Sequence, residues 1–436
     1  MKPALVALLL SAGCSSHASP EAVLRAALQK GHGVVSLPRE LTLHAELALP
    51  AGAHDLEIAG DRSALRLAGD FRGRAVFTVK SGARIRFRDF TVYGERGALE
   101  QRLGLPPSDV PFRRFTSSNG ILIEDSDSVS ISGVSFREVA GFPILVSASK
   151  AVRIERVRIE DSGSRNAAGR NNTTGGILIE EGSSDFQVID SLFRNIRGNG
   201  VWTHSLYTSP RNAGGLIAGN RFEGIGRDAV QVGHATRVRV ERNTGERIGY
   251  PESDVDVENR AVPVAIDTAG NTDLSVYSAN RFQDVNGKCI DLDGFHHGEV
   301  TGNVCLNLRN FGVVMNNTNP DMRPEGVTIA GNTIDGAAYG AIFVIGSGNK
   351  ILRNKLLHLN TSKCETCYYT PGEPDMLRSG IYLGRGAERP ALARGNTVEE
   401  NEISGFHMRT HCVGAAPGVS LAANHVAGNR CSDSAP

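Results

Sequence analysis

The feature that most constrains the fold is an Asn that recurs at regular spacing along the second half of the chain. Subtracting successive positions gives steps of 23, 37, 23, 29, 22, 47 and 23 residues. A base period of about 22 to 29 residues with two longer steps is typical of a solenoid, in which each repeat forms one coil that stacks on the next. The recurring positions are Asn220, Asn243, Asn280, Asn303, Asn332, Asn354, Asn401 and Asn424.

A second recurring phrase is a Gly followed by alternating apolar residues. Between these phrases lie runs of Val and Ile that are too short for helices, for example at 129–131, 144–146 and 152–154, which predicts three short strands per coil. We therefore predict an all-β fold, a right-handed parallel β-helix with coils about 4.8 Å apart. The corner Asn side chains would hydrogen-bond from coil to coil as a ladder. The Gly-led strands begin at Gly120, Gly176, Gly200, Gly312, Gly340 and Gly380.

A short helix is predicted at the N-terminal end of the stack. Ser19 is a suitable cap, Pro20 suits the first helical position, Glu21 places an acid in the first turn, and Gly31 ends the segment. Such a helix would cover strand edges that would otherwise be unpaired. Its expected apolar face comprises Val23, Leu24, Ala27 and Leu28.

The first residues have the character of an export signal. Lys2 precedes an apolar run at 4–10, and small residues lead to Cys14. This ending resembles a bacterial lipobox, whose cysteine is lipidated; the alternative is secretion after a site such as Ala18. We assign 1–19 to an export signal and tether and 20–436 to a single β-helix domain. The expected location is the bacterial outer membrane or cell surface as a lipoprotein, or the periplasm or medium, with the lipid anchor as the only membrane contact.

The cysteines are too few for a disulfide scaffold but sufficient for local cross-links. Export permits disulfides, and pairing of sequence neighbours is the simplest arrangement among fifteen. A zinc site would need a second closely spaced pair, and the sequence has only one. Apart from Cys14, the cysteines are Cys289, Cys305, Cys364, Cys367, Cys412 and Cys431.

The charge balance limits the class of partner. Lys plus Arg is 47 and Asp plus Glu is 47, whereas proteins that bind nucleic acid usually carry a basic excess. We therefore expect no nucleic-acid partner. The expected partner is a polysaccharide or oligosaccharide, and the chain is expected to be a monomer.

Polar residues follow one outer face of the middle coils. Side chains alternate along a strand, so the apolar residues of each Gly-led strand point inward and the residues between them point outward. Long polar insertions at 99–119, 163–175, 250–260 and 360–378 precede the same strand of their coils, and a second set at 207–211 and 317–324 follows it. Such insertions commonly wall a binding surface, here an open groove suited to a polymer. The outward residues are His204, Gln231, Asp267, Asp291, Asp293 and Asn316.

Three of these residues are acidic. Asp291 and Asp293 are two residues apart, about 7 Å along a strand, and Asp267 lies one coil away, about 5 Å. Carboxyls this close have separated pKa values, which gives an acid and a carboxylate for glycoside hydrolysis. Separations of about 5 Å suit retention and about 6.5–9.5 Å suit inversion, and both remain open. The alternatives are that the trio binds calcium or only solvates a strand.

The remaining candidates surround this trio. His204 and His234 are predicted to share the catalytic role with the three aspartates. Trp202, the only tryptophan, is expected to be exposed and to stack on a sugar ring, with packing under a loop as the alternative. The predicted substrate-binding residues are Trp202, Gln231, Asp228, His296, His297, Asn316 and Asn317.

The repeat length, the Asn corners and the N-terminal helix together resemble the pectate-lyase-like superfamily of right-handed β-helix proteins, over roughly residues 20 to 430. The resemblance implies the fold, which hosts lyases, hydrolases, epimerases and binding proteins. Gly226-Arg227-Asp228 is similar to the Gly-Asp-Asp of polygalacturonase-like hydrolases with one acid missing. Pectate-type lyases use a basic residue beside carboxylate-bound calcium, for which the candidates are Lys288, Arg227, Arg260 and Arg309.

Three functions follow from these patterns. The first is a glycoside hydrolase that acts on a polysaccharide in the open groove and needs no cofactor. The second is a polysaccharide lyase or uronate epimerase that uses bound calcium. The third is a non-catalytic glycan-binding or scaffold protein at the cell surface.

Overall fold

The computed structural model describes residues 19–256, 262–318, 322–367, 369–386 and 389–434. Short runs of Val and Ile between turn residues form strands of mostly three to five residues, and each coil contributes one strand to each of three parallel sheets. The predicted parallel β-helix is confirmed. Residues 1–18, with Lys2, Cys14 and Ala18, and also Arg260, lie outside the described residues.

The sheet that carries the outer groove is called the groove sheet. From one coil to the next its strands are Asn119–Glu124, Ile144–Ser147, Ile177–Glu180, Val201–His204, Val230–Thr236, Val264–Asp273, Lys288–His296, Val313–Asn316, Ile342–Val344, Ile381–Leu383 and Val413–Ala415. A short additional strand, Asn212–Ala213, pairs with the end of Val230–Thr236. All registers are parallel, so residues at equal positions form columns that run along the stack.

The other two sheets close each coil. The second sheet contains Ser130–Ser132, Arg153–Glu155, Gln187–Ile189, Leu216–Ala218, Arg239–Glu241, Val276–Ser278, Glu299–Thr301, Thr328–Ala330, Lys350–Leu352, Thr397–Glu399 and His425–Ala427. The third contains Ser135–Arg137, Arg158–Glu160, Leu192–Ile196, Arg221–Ile225, Thr244–Ile248, Arg281–Val285, Val304–Leu308, Thr333–Ala337, Lys355–Leu359, Glu402–Gly405 and Arg430–Asp433. The first coils use the strands Gly33–Ser36, Glu40–Ala48, His54–Lys80 and Ala83–Tyr93.

Helical segments are few and short in the described chain. The α-helices are Pro20–Leu28, Arg96–Leu99 and Phe112–Phe115, and the 3₁₀ turns are Glu252–Asp254, Met376–Arg378 and Leu421–Ala423. No helix within the described ranges combines the length and the apolar character needed to cross a membrane.

The Asn ladder runs through the interior corner between the second and third sheets. The side-chain oxygen of Asn243 accepts the backbone N–H and the side-chain N–H of Asn220, both at 3.0 Å, and the same pair of bonds recurs at each later coil. One expected member is wrong: Asn424 belongs to a separate ladder at another corner. The main ladder comprises Asn220, Asn243, Asn280, Asn303, Asn332, Asn354, Asn401 and Asn429, and the second comprises Asn349, Asn396 and Asn424.

The N-terminal helix spans Pro20–Leu28 and caps the first coil as predicted. The Ser19 hydroxyl accepts the Ala22 N–H at 3.2 Å, and Leu24 and Leu28 are buried in the core. Val23 was expected on the apolar face, but it is 57% exposed. Because the helix is only nine residues long, its packed stripe is narrower than the sequence suggested.

Neighbouring cysteines form the three disulfides, which confirms the predicted pairing. Cys289–Cys305 joins the groove sheet to the third sheet inside one coil, and Cys364–Cys367 closes a turn in the 360–378 insertion. The third bond, Cys412–Cys431, ties the last coils together.

Candidate functional site

The predicted insertions wall one edge of the groove sheet, and three of them are joined by polar contacts. The Arg165 guanidinium contacts the Asp254 carboxylate at 2.7 Å, and the Asn166 side-chain amide donates to Asp256 at 2.7 Å. The Arg165 backbone N–H donates to Glu100, also at 2.7 Å. These contacts link the 99–119, 163–175 and 250–260 insertions into one wall beside the middle coils.

Next to this wall, three outward polar residues form one column of the groove sheet. Gln231 is the register partner of Asp267, and Asp267 is the register partner of Asp291. Neighbouring strands place their Cα atoms about 4.8 Å apart, so the two carboxylates are direct neighbours. They line a pocket, here called the acid pocket. Its lining residues are Arg227, Asp228, Gln231, Val255, Asp256, Val262, Pro263, Val264, Asp267, Lys288 and Asp291.

A lysine forms an ion pair with Asp291. The Lys288 ammonium contacts a carboxylate oxygen of Asp291, and both residues are largely buried. Burial alone would lower the pKa of Lys288, but the negative charges of Asp291 and Asp267 outweigh burial and raise it. Lys288 therefore keeps its proton and places a positive charge beside Asp291.

Asp267 experiences the opposite electrostatic environment. Burial, and then the charges of Asp228 and Asp291, raise its pKa well above the ordinary value. Its orientation is fixed by Gln231, whose side-chain N–H donates to Asp267 at 2.7 Å. Gln231 is itself oriented because its oxygen accepts an N–H from Asn199 at 2.7 Å. Asp267 is therefore a positioned carboxyl that tends to keep its proton.

Asp228 completes the pocket from the preceding turn. One carboxylate oxygen accepts the Val264 backbone N–H at 2.8 Å. Burial raises the pKa of Asp228 to about 6, although the Arg227 charge and the Val264 hydrogen bond oppose this. The pocket thus contains two carboxyl groups with raised pKa values, Asp228 and Asp267, and a third, Asp291, that is paired with Lys288.

Asp293 and Asn316 lie outside the acid pocket, in the next outward column. Ala269, Asp293 and Asn316 are successive register partners there. Asp293 accepts the Thr318 N–H at 2.8 Å and also contacts the Thr318 hydroxyl. Asn317 follows at the corner, is buried, and donates its N–H to the Asn316 side chain at 2.8 Å.

The expectation that Trp202 is an exposed platform is wrong. Trp202 does lie on the outer face, but only 7% of it is exposed. The Phe112 ring from the 99–119 insertion covers it, with centroids 4.9 Å apart, and the His204 ring stacks beside it at 5.1 Å. The Phe112–Phe115 helix reaches this position because the Phe112 and Arg113 backbone N–H groups donate to the Glu180 carboxylate at 2.9 and 3.0 Å.

Glu180 should make stability depend on pH. Burial raises the pKa of the Glu180 carboxyl to about 7, well above the ordinary value for a glutamate. The native state thus binds a proton that the unfolded chain has released, so the free energy of unfolding falls as pH rises through this window, by about 3 kcal/mol at most. Urea unfolding at pH 5 and pH 8 measures the effect. The fall should be smaller in Glu180→Gln, where only other carboxyls with raised pKa values such as Asp228 and Asp267 still contribute, and an equal fall in both proteins would contradict the assignment.

Two predicted histidines lie near the groove but not in the acid pocket. Burial lowers the pKa of His204 and of His234, so both favour the neutral form. His234 is 9% exposed and lies within the groove-sheet strand Val230–Thr236, at a register shift between Gly233 and Ala235. Its ring meets Tyr207 edge to face at 5.1 Å.

His296 and His297 lie at the end of the groove-sheet strand Lys288–His296, two coils beyond the strand of His234. The His296 ring nitrogen Nδ1 is 3.1 Å from the Gly294 carbonyl, and exposed His297 is 3.9 Å from Glu325. The structure therefore gathers Asp228, Gln231, Asp267 and Asp291, and places the four histidines around them.

Three residues of the site received little weight from sequence reasoning. Lys288 and Arg227 were considered only as lyase bases, and Asn199 was not considered. Their positions in the sequence could have indicated a role. Asn199 directly precedes the Gly-led strand at Gly200, Arg227 directly precedes Asp228, and Lys288 is three residues before Asp291. Within the described ranges, no group of three or more His, Cys, Asp or Glu side chains is arranged to hold a metal ion.

The parallel coils and their walled outer groove define the class of right-handed parallel β-helix proteins. The chain belongs to the family described as the right handed beta helix region, which matches residues 108–250, 175–357 and 264–434. No curated protein matches the sequence.

Solved structures share the fold at low sequence identity. PfbA, a surface adhesin of Streptococcus pneumoniae, is 15% identical with a TM-score of 0.57, over 79% of this chain and 89% of that one. The catalytic domain of a GH87 alpha-1,3-glucanase is 12% identical with a TM-score of 0.56, over 94% and 67%. The GH136 lacto-N-biosidase of Eubacterium ramulus is 14% identical with a TM-score of 0.54, over 83% and 62%.

Proposed function

We propose that this protein is an exported glycoside hydrolase that cleaves a glycan in the acid pocket. The observation that carries the proposal is the Asp267–Asp291 pair on neighbouring coils. The Lys288 ammonium contacts the Asp291 carboxyl group, and burial raises the pKa of Asp267. Glycoside hydrolysis needs one carboxylic acid and one carboxylate on either side of the scissile bond.

The geometry supports a retaining mechanism. Side chains in one column project in the same direction from Cα atoms about 4.8 Å apart, and this spacing is close to the carboxyl separation of about 5–5.5 Å in retaining enzymes. Asp267 would donate its proton to the leaving oxygen while Asp291 attacks the anomeric carbon. Asp267 would then take a proton from water as that water hydrolyses the glycosyl–Asp291 ester.

A screen on defined glycans tests this proposal. Purified protein is incubated with a panel of neutral and uronic polysaccharides, and reducing ends are measured over days. Proton NMR of the first product on any cleaved glycan gives the anomer, which should have the configuration of the substrate linkage. Release of the opposite anomer would contradict the assignment of Asp291 as the nucleophile.

The similar folds are compatible with this proposal but do not decide it. A glucanase and a lacto-N-biosidase show that the fold supports glycan cleavage, whereas PfbA is a surface adhesin. Three disulfides support an oxidising, extracytoplasmic location. Mass spectrometry of the mature N-terminus would test lipidation at Cys14.

The lyase or epimerase alternative is less well supported. Its base must be unprotonated to remove a proton from the substrate, but the Asp291 charge raises the pKa of Lys288. We expect that a calcium chelator changes activity less than about twofold, and that products lack the ultraviolet absorbance of an unsaturated uronate. Appearance of that absorbance together with loss of activity in chelator would establish the lyase.

In the second alternative, the protein binds a glycan in the same groove and does not cleave it. This alternative predicts retention of a glycan on the protein for days with no new reducing ends. Under this alternative, Asp267→Asn and Asp291→Asn would change affinity only modestly. Any turnover that an aspartate substitution removes would eliminate it.

A further inference from the structure

The polar part of the outer face of the groove sheet is short. Gln231, Asp267 and Asp291 are three successive register partners in one outward column, here called the polar floor. The column passes to Trp202 on one side of the floor and to Val314 on the other. From Trp202 to Val314 it spans four strand spacings, which is about 19 Å. Beyond them it continues as Leu178, Leu145 and Leu122 at one end and as Phe343 and Tyr382 at the other.

At one end of the floor, the 99–119 insertion covers the column. The Phe112 ring lies against Trp202 and also meets the Phe142 ring at 5.7 Å. Because the outward side chains are buried here, a second layer of chain lies on the sheet, and the floor ends at Trp202. We call this layer the Phe112 cover. The buried residues form an apolar cluster that is separate from the interior core: Ala75, Phe112, Leu122, Phe142, Leu145, Leu178 and Trp202.

At the other end of the floor, the outward side chains are also buried. Val314 is 6% exposed, Phe343 is 5% exposed, and Tyr382 is fully buried. The Phe343 and Tyr382 rings stack with centroids 6.1 Å apart. Burial, and then the charge of Glu373, raise the pKa of the Tyr382 hydroxyl, so Glu373 of the 360–378 insertion lies close to this ring.

Glu373 anchors the 360–378 insertion over the sheet. It is fully buried, and one of its carboxylate oxygens accepts the Arg385 and Gly386 backbone N–H groups at 2.8 and 2.9 Å. These groups follow directly after the groove-sheet strand Ile381–Leu383. The insertion therefore forms a second layer, here called the Glu373 cover, and the polar floor lies between two covers.

We infer that the two covers and the wall close the acid pocket on three sides, so that the pocket takes the end of a glycan chain and the protein releases short terminal units. The wall closes the edge at which the strands begin, where Val255 and Asp256 line the pocket. The rest of the glycan then leaves across the opposite edge of the sheet. A pocket for a chain end thus replaces the open groove for a polymer that the sequence suggested. The release step rests on the proposed function, whereas the binding of a chain end does not.

The length of the floor limits how much of a glycan fits. One pyranose unit extends a chain by roughly one coil spacing, so the space between the covers holds about three or four units. An internal stretch of a polymer needs an exit at both of its ends. Along the coils, both exits are blocked by side chains whose apolar surface is buried, and displacing them would expose that surface to water.

Binding as a function of chain length provides the test. In an Asp267→Asn background, calorimetry measures the affinity for oligosaccharides of α-1,3-glucan, α-1,4-glucan, β-1,3-glucan, β-1,4-galactan and polygalacturonate. For the best series, affinity should rise up to about four units and then stay within about twofold. The parent polysaccharide should bind about one protein molecule per chain at any chain length. A continued rise in affinity with length, or several protein molecules per chain, would overturn the inference.

Cleavage products separate this inference from the proposed function. On any polysaccharide of the panel that the unmodified protein cleaves, the early product should be a short oligosaccharide of uniform size, while the mass of the polymer stays nearly unchanged. A ladder of intermediate products with a rapid fall in polymer mass would overturn the inference and leave the hydrolase standing. Binding of a chain end without cleavage would support the inference and overturn the hydrolase. If no member of the panel binds or is cleaved, both are overturned.

A change in the Phe112 cover tests whether the cover sets the limit. Phe112→Ala removes the ring that lies on Trp202, so the rise in affinity should extend to chains about one unit longer. Phe71→Ala is the matched control, because Phe71 is also a buried phenylalanine but belongs to the interior core of the first coils. It should leave the length dependence unchanged, and an unchanged length dependence in both variants would count against the cover. Thermal unfolding verifies that each variant is folded.

Discussion

Asp291→Asn is expected to lower kcat by about 10³-fold or more on any glycan that the protein cleaves. The amide cannot attack the anomeric carbon, and it removes the negative charge that Lys288 pairs with. The fold should persist, because Asn has nearly the same size and can accept a hydrogen bond from Lys288. Reducing-end release under saturating glycan measures the loss, and thermal unfolding verifies the fold.

Two further variants sharpen this result. Asp267→Asn should cause a loss of similar size, because an amide cannot donate the proton that the leaving oxygen needs. Asp284→Asn is a matched control: Asp284 lies on the outside of the third sheet and accepts only the Asn307 amide at 3.1 Å, so activity should be unchanged. Full activity in the Asn variants of Asp267, Asp291 and Asp293 would exclude the proposed chemistry.

Asn303→Ala is expected to lower the free energy of unfolding by about 4 kcal/mol. The Asn303 amide donates to the Tyr277 carbonyl and to the Asn332 oxygen at 2.9 Å, and its oxygen accepts the Asn280 backbone N–H at 3.0 Å. The substitution leaves these buried groups unpaired, and each unpaired buried group costs about 1–3 kcal/mol. Urea unfolding measures the change.

The control for this prediction is Gln283→Ala. Gln283 also has an amide side chain and lies on the third-sheet strand Arg281–Val285. It is partly exposed, and its side-chain N–H donates to Glu246 at 3.3 Å. Surface substitutions of this kind usually change stability by less than about 0.5 kcal/mol. Equal destabilisation by the two variants would show that the ladder contributes nothing special.

Repetition explains how much of the fold could be predicted. Each coil repeats the same local sequence pattern, so turn residues and alternating apolar residues recur at a regular period. That period indicates which residues share a column. The Asn corners, the capping helix and the neighbour disulfides are all local patterns of this kind. Asn424 shows where prediction from the period fails. It lies 23 residues after Asn401, which suggested a place in the main ladder. The chain between the two ladders varies in length, however, and Asn429 occupies the main-ladder position instead.

The candidate site also has a part that could be predicted from the sequence and a part that could not. The column of Gln231, Asp267 and Asp291 follows from strand alternation, since side-chain direction depends on the backbone alone. The sequence by itself thus determined the coil, its columns and the presence of acids on one outer face. Asp228 and Lys288 join the acids only because turns and a wall of insertions close around them. Trp202 is covered because Phe112, 90 residues earlier in the chain, docks on Glu180. Only the tertiary structure decided these contacts, because the insertions do not repeat and no periodic sequence pattern predicts how they pack.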